Sequence, residues 1–351
     1  MTRRLFSKIL LVVVSIFGLL VLAGVLSAQG RSEDAFERVK QVQERHTDRL
    51  MAIDGVVGTA VGLGDGAGHA VLVLLERPGV GGIPDELDGV PVHPVVTGKF
   101  YPLPKPEKPP GKPGGGRLDP TSRFARPVPI GVSTGNELEN SAGTIGCRVK
   151  DIFGNVYALS NNHVYALEND APLGSKVLQP GRYDGGVSPG DAIGTLAALF
   201  PINFNGGGNI VDAAIALSYV DQSGNSLVGK STPSDGYGTP KSATVAGYIG
   251  QKVQKYGRTT SLTKGVVTGI NAALKVGYSS GEALFLDQII VQSRKPFIKP
   301  GDSGSLLVTD PEKNPVGLLF AGDQTGTYAV ANRIDLVLGA FDVTVDGDSN
   351  P

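Results

Sequence analysis

Short runs rich in valine, isoleucine and threonine recur along most of this chain, and turn-forming residues separate them. Glycine is the main separator, with 50 copies among 351 residues, and proline, asparagine and aspartate supply most of the others. Apolar runs of strand length that are bounded by such residues are typical of β-strands joined by tight turns. The pattern therefore predicts an all-β fold for the larger part of the chain.

A segment that can sustain neither a helix nor a strand divides the sequence. Residues 102–116 consist almost entirely of proline, glycine and lysine, which predicts a solvated, partly extended linker over residues 102–120. The residues before it, 31–101, predict a small α+β domain that begins with an amphipathic helix over 32–51. The residues after it, 121–345, predict the larger β domain.

The first 30 residues predict an export signal. Arg3, Arg4 and Lys8 precede an uncharged, mostly apolar run over residues 9–26, and small residues follow that run. Two interpretations stay open: a signal peptide that is cleaved, or an uncleaved membrane anchor. Both place the larger domain outside the cytoplasm, because the basic flank stays inside.

Charge and cysteine content exclude several classes of function. A net charge of −1 and a pI near 6.4 give no support to nucleic-acid binding, which normally requires a basic face. Cys147 is the only cysteine, so no intrachain disulfide can form, and its apolar surroundings predict a buried, unreactive thiol. No cysteine or clustered carboxylate accompanies His69 or His93, so we expect no metal there. The chemistry predicted below needs no metal and no organic cofactor.

The Gly-Asp-Ser-Gly sequence at 301–304 is the most informative motif of the chain. Glycines on both sides of Ser303 let the backbone turn tightly and approach a substrate closely. In such a turn the N–H groups of Gly301 and Ser303 can form an oxyanion hole for a tetrahedral intermediate. The motif therefore predicts Ser303 as a nucleophile.

A serine hydroxyl needs a base, and His163 is the only histidine on the Ser303 side of the linker. A strand predicted over residues 156–160 ends just before it. Asp212 lies in an otherwise apolar run, where a histidine N–H would offset the cost of burying its charge. Asp191, in a polar turn, is the second candidate for this orienting acid.

The chain order His163, Asp212, Ser303 is that of the chymotrypsin-like serine proteases. The sequences around these residues resemble the motifs of that family, and residues 253–267 are similar to the segment that opens the second barrel of bacterial members such as alpha-lytic protease and the streptogrisins. Ser305 departs from the family, because many members have glycine there. The disulfides of secreted relatives are also absent.

This resemblance covers roughly residues 124–345 and implies a double six-stranded antiparallel β-barrel. The first barrel would span residues 124–226, the second would begin near residue 239, and the active site would lie between them. A C-terminal helix over 332–341 would follow, with Asn332 as its N-cap. The family mechanism would make His163 the base, Asp212 its orienting acid and Ser303 the nucleophile.

The resemblance also implies where a substrate would bind. Phe297 lies where the family places the base of the primary pocket, and Phe320, Ala321 and Gly322 resemble the strand that pairs with the substrate backbone. An aromatic base offers no charge to lysine or arginine. We therefore expect small or medium apolar residues before the scissile bond.

The carboxylate of Asp302 follows the first oxyanion glycine and should be buried, so a cation should compensate it. Bacterial members that this chain resembles use a basic residue of the segment near 253–260 for this purpose. Lys255 and Arg258 are therefore the two candidates.

These inferences predict an exported serine endopeptidase that acts on peptide or protein substrates. The N-terminal domain is similar in placement to a pro-region, and a plain appended domain is the alternative. A catalytically silent binding module of the same fold is the second function class. A nucleotide-binding protein is the third, because residues 224–231 match the P-loop pattern, but the prolines and glycines after Lys230 prevent the helix that a P-loop needs. The oligomeric state stays open.

Overall fold

The computed structural model describes residues 34–66, 68–102 and 118–349. The predicted export segment and most of the predicted linker lie outside these ranges. Within them, no helix is both long and apolar enough to cross a membrane.

The N-terminal part folds as one helix against a few strands. Helix α1 covers residues 34–51, and its buried Val39, Val42 and Leu50 pack on the first two strands, as the amphipathic pattern predicts. The strands are β1 (Val56–Leu63), β2 (His69–Leu75), β3 (Glu86–Leu87), β4 (Val90–Val96) and β5 (Tyr101–Pro102).

The first barrel closes through one interrupted strand. Its elements are β6 (Ser133–Asn136), β7 (Gly143–Thr144), β8 (Cys147–Lys150), β9 (Val156–Ser160), helix α2 (Asn162–Tyr165), β10 (Lys176–Leu178), β11 (Ala192–Leu199), β12 (Gly208–Asn209) and β13 (Ala214–Ser218). The antiparallel order is β8-β9-β13-β11-β10-β6-β7. Because β7 leads directly into β8, these two act as one strand that completes a ring of six. Strand β12 lies outside the ring.

The second barrel also has six strands. They are β14 (Lys252–Gly257), β15 (Ser261–Tyr278), β16 (Gly281–Gln292), β17 (Leu306–Thr309), β18 (Pro315–Gly322) and β19 (Tyr328–Arg333). Strand β15 pairs with both β14 and β16, which closes the ring, and every pairing within it is antiparallel. The predicted double six-stranded barrel is confirmed.

Helix α3 (Ile334–Phe341) and β20 (Thr344–Val345) end the described fold. The prediction that Asn332 caps this helix is wrong, because Asn332 belongs to β19 and Arg333 holds the cap position. The buried Asn332 amide instead donates to Gln288 Oε1 at 2.7 Å and accepts from the Asp212 N–H at 3.0 Å. Asn332, which was predicted to cap the start of a helix, therefore hydrogen-bonds to the candidate site residue Asp212.

No helix follows the P-loop-like sequence at 224–231, which lies in turns and isolated bridges. The Lys230 ammonium contacts Asp346 Oδ1 at 2.9 Å, so a structural ion pair occupies it. This arrangement offers no helix N-terminus for a phosphate.

The N-terminal strands do not form a separate sheet. Strand β1 pairs antiparallel with β15, so the second barrel and β1 to β4 share one continuous sheet. The two parts also share a hydrophobic core, in which Leu72, Leu74 and Phe100 join Leu274 and Phe285. Nothing in the sequence pattern indicated this joint core.

Candidate active site

His163 and Asp212 lie in direct contact. Strand β9 ends at Ser160, and α2 then carries His163 toward the region between the barrels. The imidazole Nδ1 lies 2.6 Å from Asp212 Oδ2, and the His163 backbone N–H donates to Asp212 Oδ1 at 3.2 Å. Asp212 is fully buried, as its apolar run predicted. An N–H donor is what a buried carboxylate requires, so Nδ1 carries the proton and Nε2 is left unprotonated.

The second barrel holds Asp212 from the other side. The Tyr278 hydroxyl, at the end of β15, donates to Asp212 Oδ2 at 2.8 Å. The Asn332 side chain accepts from the Asp212 backbone N–H. Burial, and next the Asp212 carboxylate, hold the pKa of Tyr278 well above its ordinary value, so the hydroxyl keeps its proton. Neither contact was predictable from the sequence, because no local motif links Tyr278 or Asn332 to Asp212.

Asp191, the second candidate for the acid, is paired elsewhere. Its two carboxylate oxygens accept from Arg123 Nε at 2.5 Å and Nη2 at 2.6 Å, and one also accepts from the Val187 N–H at 2.7 Å. The hydrogen bonds from Arg123 lower the pKa of Asp191. The structure thus places Asp212, and not Asp191, beside His163.

Ser303 and His163 line the same cavity, which has a volume of about 480 Å³. Within the described residues, Nε2 of His163 has no hydrogen-bond partner. The Ser303 hydroxyl donates to the Phe320 carbonyl at 3.5 Å, the outer limit of a hydrogen bond. Among the described residues no hydrogen bond joins the Ser303 hydroxyl to the His163 imidazole, and the weak contact with Phe320 barely opposes rotation of that hydroxyl.

The backbone around Ser303 frees two N–H groups. The Pro300 carbonyl accepts from Thr259 Oγ1 at 2.5 Å, and the Asp302 carbonyl accepts from the N–H and Oγ of Ser305 at 3.0 and 2.5 Å. In a trans peptide the N–H points away from the C=O, so the N–H groups of Gly301 and Ser303 face the opposite side. Within the described part of the chain neither donates to a protein acceptor. Ser305, the departure from the family pattern, thus orients one of these peptides.

Glycine at position 301 is required by both conformation and space. Its φ of +96° lies in a region that L-residues avoid. A Cβ at this position would lie 2.6 Å from Thr259 Oγ1, the group that orients the Pro300 carbonyl. A side chain here would therefore disturb one of the two free N–H groups.

Lys255 compensates the buried Asp302, as predicted. Both side chains have no exposed surface, and Nζ lies 3.3 Å from Asp302 Oδ2. The carboxylate also accepts from the N–H groups of Thr259, Thr260 and Lys299 and from the Thr260 hydroxyl, at 2.7 to 3.1 Å. Burial lowers the pKa of Lys255, and Asp302 acts in the opposite direction. This network fixes the turn that carries Ser303.

Arg258, the other candidate cation, is fully buried but serves the first barrel. Its guanidinium pairs with Asp184, with Nε 2.9 Å from Oδ2, and its backbone N–H donates to Thr144 Oγ1 at 3.0 Å. The same Thr144 hydroxyl donates to the Gly301 carbonyl at 2.8 Å. Arg258 therefore joins the two barrels behind the Ser303 turn.

The predicted substrate-pairing strand is already paired. Strand β18 carries Phe320, Ala321 and Gly322, and β5 of the N-terminal part lies antiparallel to it, with Pro102 opposite Ala321 and Tyr101 opposite Gly322. Tyr101 and Pro102 also line the cavity that holds His163 and Ser303. The protein's own chain thus occupies the place where the resemblance puts a substrate.

Phe297 is fully buried and packs among apolar residues of the second barrel such as Val253 and Val291. Its N–H donates to the Gly326 carbonyl at 2.7 Å, which draws the neighbouring loop against it. Phe297 does not line the cavity that contains Ser303. Its aromatic ring fills the interior where the resemblance places the base of the primary pocket.

The thiol of Cys147 is buried in the first barrel, and burial raises its pKa to about 12. Such a thiol carries almost no thiolate and cannot compete with Ser303 as a nucleophile. Among the described residues, no group of His, Cys, Asp and Glu side chains could hold a metal ion.

This chain is similar to bacterial chymotrypsin-like serine proteases of known structure. A glutamic-acid-specific serine protease shares 21% identity at a TM-score of 0.44, over 62% of this chain and 100% of that chain. Nocardiopsis protease (NAPase) shares 16% at 0.44, over 62% and 98%. Cellulomonas bogoriensis chymotrypsin shares 20% at 0.42, over 63% and 99%. The strand pairing of the two barrels establishes the fold independently of these likenesses.

A family profile described as the Nal1 C-terminal domain matches residues 237–336, which include the second barrel and Ser303. No curated protein matches the sequence.

Proposed function

We propose that this protein is a serine endopeptidase whose triad is His163, Asp212 and Ser303. The observation that carries the proposal is the 2.6 Å contact between His163 Nδ1 and the buried Asp212, beside a serine on the same cavity. Asp212 holds the imidazole in the tautomer that leaves Nε2 free to accept the Ser303 proton. A silent binding module would gain nothing from burying this carboxylate, since burial of a charge costs stability.

The mechanism is acyl transfer to water. The Ser303 oxygen bonds to the scissile carbonyl carbon while its proton passes to His163 Nε2, and the N–H groups of Gly301 and Ser303 stabilise the oxyanion. The imidazolium then gives that proton to the leaving amine as the peptide C–N bond breaks. A water oxygen then bonds to the acyl carbon while its proton passes to His163 Nε2, and the imidazolium returns that proton to the Ser303 oxygen as the ester C–O bond breaks.

Covalent labelling tests this proposal most directly. A fluorophosphonate probe reacts with an activated serine, so the intact protein should be labelled at Ser303 and the Ser303→Ala variant should not. The measurement is the mass shift and the labelled peptide after digestion. Peptide hydrolysis in the absence of labelling would reject the serine mechanism. A wild-type protein that neither labels nor hydrolyses peptides, even after the N-terminal part has been cut off and removed, would favour the silent binding module.

The buried Phe297 does not line the cavity that contains Ser303, so it gives no support to the expected preference for small or medium apolar residues before the scissile bond. We also propose that the protein acts outside the cytoplasm, because residues 1–30 have the composition of an export signal.

We further propose that the N-terminal part covers the active site as a pro-region does. Strand β5 pairs with the β18 segment that would bind substrate, and Tyr101 and Pro102 line the catalytic cavity. A tethered strand has an effective concentration in the millimolar range, which a dilute peptide substrate cannot match. In sequence, Leu103 and Pro104 follow β5, and proline is a poor residue to follow a scissile bond.

Cutting the linker should therefore activate the protein. A site for a sequence-specific protease, inserted between Gly114 and Gly115, allows the same preparation to be compared before and after cleavage. The β1–β15 pairing and the shared core still hold the N-terminal part after the cut, so we expect peptide hydrolysis to rise about tenfold or more in the fraction from which that part has dissociated on dilution. Fluorophosphonate labelling of Ser303 should rise less, since the probe does not need the β18 strand. Equal peptide hydrolysis before cleavage and after dissociation of the N-terminal part, as followed by size-exclusion chromatography, would show that β5 does not block substrates.

A further inference from the structure

We infer that Tyr278 is a positioning residue that holds the Asp212 carboxylate through its hydroxyl. The inference rests on the proposed triad and adds a member from the second barrel. The Tyr278 hydroxyl and the His163 Nδ1–H both donate to Asp212 Oδ2, at 2.8 and 2.6 Å. Two donors on one oxygen fix the carboxylate plane, and this plane sets the direction of the imidazole.

In the described structure, strand β18 supplies no hydrogen-bond donor to the Asp212 carboxylate. Phe320 begins the proposed substrate-binding segment, and its side chain is a hydrocarbon that packs against Phe285 at a ring distance of 4.6 Å. Tyr278 packs against the other side of this cluster, 6.0 Å from Phe285 and 5.6 Å from Phe204. Its ring also meets the His163 ring edge-on at 6.0 Å. Aromatic packing therefore fixes the ring while its hydroxyl reaches Asp212.

The hairpin that carries Tyr278 is held at its tip and along its edge. Glu168, in the loop after α2, accepts from the N–H and hydroxyl of Ser279 at 3.3 and 2.8 Å and from the N–H of Ser280 at 2.8 Å. On the other side the Gly277 N–H donates to the Phe100 carbonyl at 3.1 Å. The N-terminal part thus contacts the residue next to Tyr278.

Replacing Tyr278 by phenylalanine removes the hydroxyl and keeps the ring. The rate constant for fluorophosphonate labelling of Ser303 should fall about tenfold, as expected for loss of a hydrogen bond to a charged group. The acid limb of its pH profile should move to higher pH, because the carboxylate keeps more charge for the imidazolium. The ionisable groups around the His163 imidazole are Asp212, Tyr278 and, along the cavity, Glu139 and Glu168. Only the Tyr278 hydroxyl is changed.

Tyr157→Phe is the matched control, because the Tyr157 hydroxyl also donates to an aspartate, Asp151, at 3.0 Å, in the turn between β8 and β9. It should leave both the labelling rate and its pH profile unchanged. The NMR signal of the His163 Nδ1 proton tests the same inference without catalysis, and it should shift in Tyr278→Phe alone. An unshifted signal, or a folded Tyr278→Phe protein that labels like wild type, would overturn the inference. Absence of labelling in the wild type would count against the proposed function instead.

Discussion

Alanine in place of Ser303 should lower peptidase and esterase activity by about 10⁴-fold to 10⁶-fold, and His163→Ala should have a similar effect. The residues of such a triad act as one unit, so the double variant should be little worse than either single variant. Steady-state hydrolysis of a peptide ester by the linker-cleaved protein provides the measurement. Additive losses in the double variant would show that the two side chains act independently.

The acid is tested by two isosteric changes. Asp212→Asn should lower kcat by about 10⁴-fold with the fold intact, because an amide cannot hold the imidazole with its proton on Nδ1. Asp191→Asn is the matched control, since Asp191 is bound to Arg123 and not to His163, and its effect should be mild. A large loss in Asp191→Asn with an active Asp212→Asn protein would reverse the assignment.

Short stretches of sequence were enough to predict the all-β fold class and the candidate residues His163, Asp212 and Ser303. The strand before His163 and the burial of Asp212 were predictable, because each depends on short apolar runs and on the turns between them. The closed barrels were predicted only from the resemblance to a known family. The Lys255–Asp302 pair was predictable as one of two alternatives, since both candidates lay in one resembling segment. Only the structure separates them, by placing Arg258 against Asp184.

The supporting contacts could not be predicted in this way. Tyr278 and Asn332 reach Asp212 across 66 and 120 residues of chain, and pairing of that kind depends on how one barrel packs on the other. The pairing of β1 with β15 likewise depends on how distant parts of the chain pack together. An edge strand shows in sequence only as an apolar run, which does not reveal which partner will pair with it. The wrong prediction for Asn332 has the same cause. Asparagine is a good capping residue and this one lies beside a helix, but its side chain forms buried hydrogen bonds with Asp212 and Gln288 instead.

The buried Lys255–Asp302 pair should contribute strongly to stability. Lys255→Met keeps an unbranched side chain of similar size but leaves the Asp302 carboxylate without its cation. Breaking one side of a buried ion pair typically costs about 3 to 5 kcal/mol of unfolding free energy. Four hydrogen bonds to Asp302 remain, so we expect a loss of about 3 kcal/mol. Chemical denaturation of the intact protein, followed by circular dichroism, gives this value.

Lys264→Met provides the comparison, because Lys264 pairs with Asp310 at 2.8 Å on the surface of the same barrel. Water screens that pair, and its loss should cost less than about 1 kcal/mol. Adding Asp302→Asn to Lys255→Met should restore part of the stability, since the uncompensated charge is then gone. It should not restore activity fully, because the carboxylate also orders the turn that carries the Gly301 and Ser303 N–H groups. If Lys255→Met were no more costly than Lys264→Met, the hydrogen bonds alone would stabilise Asp302 and the cation would be dispensable.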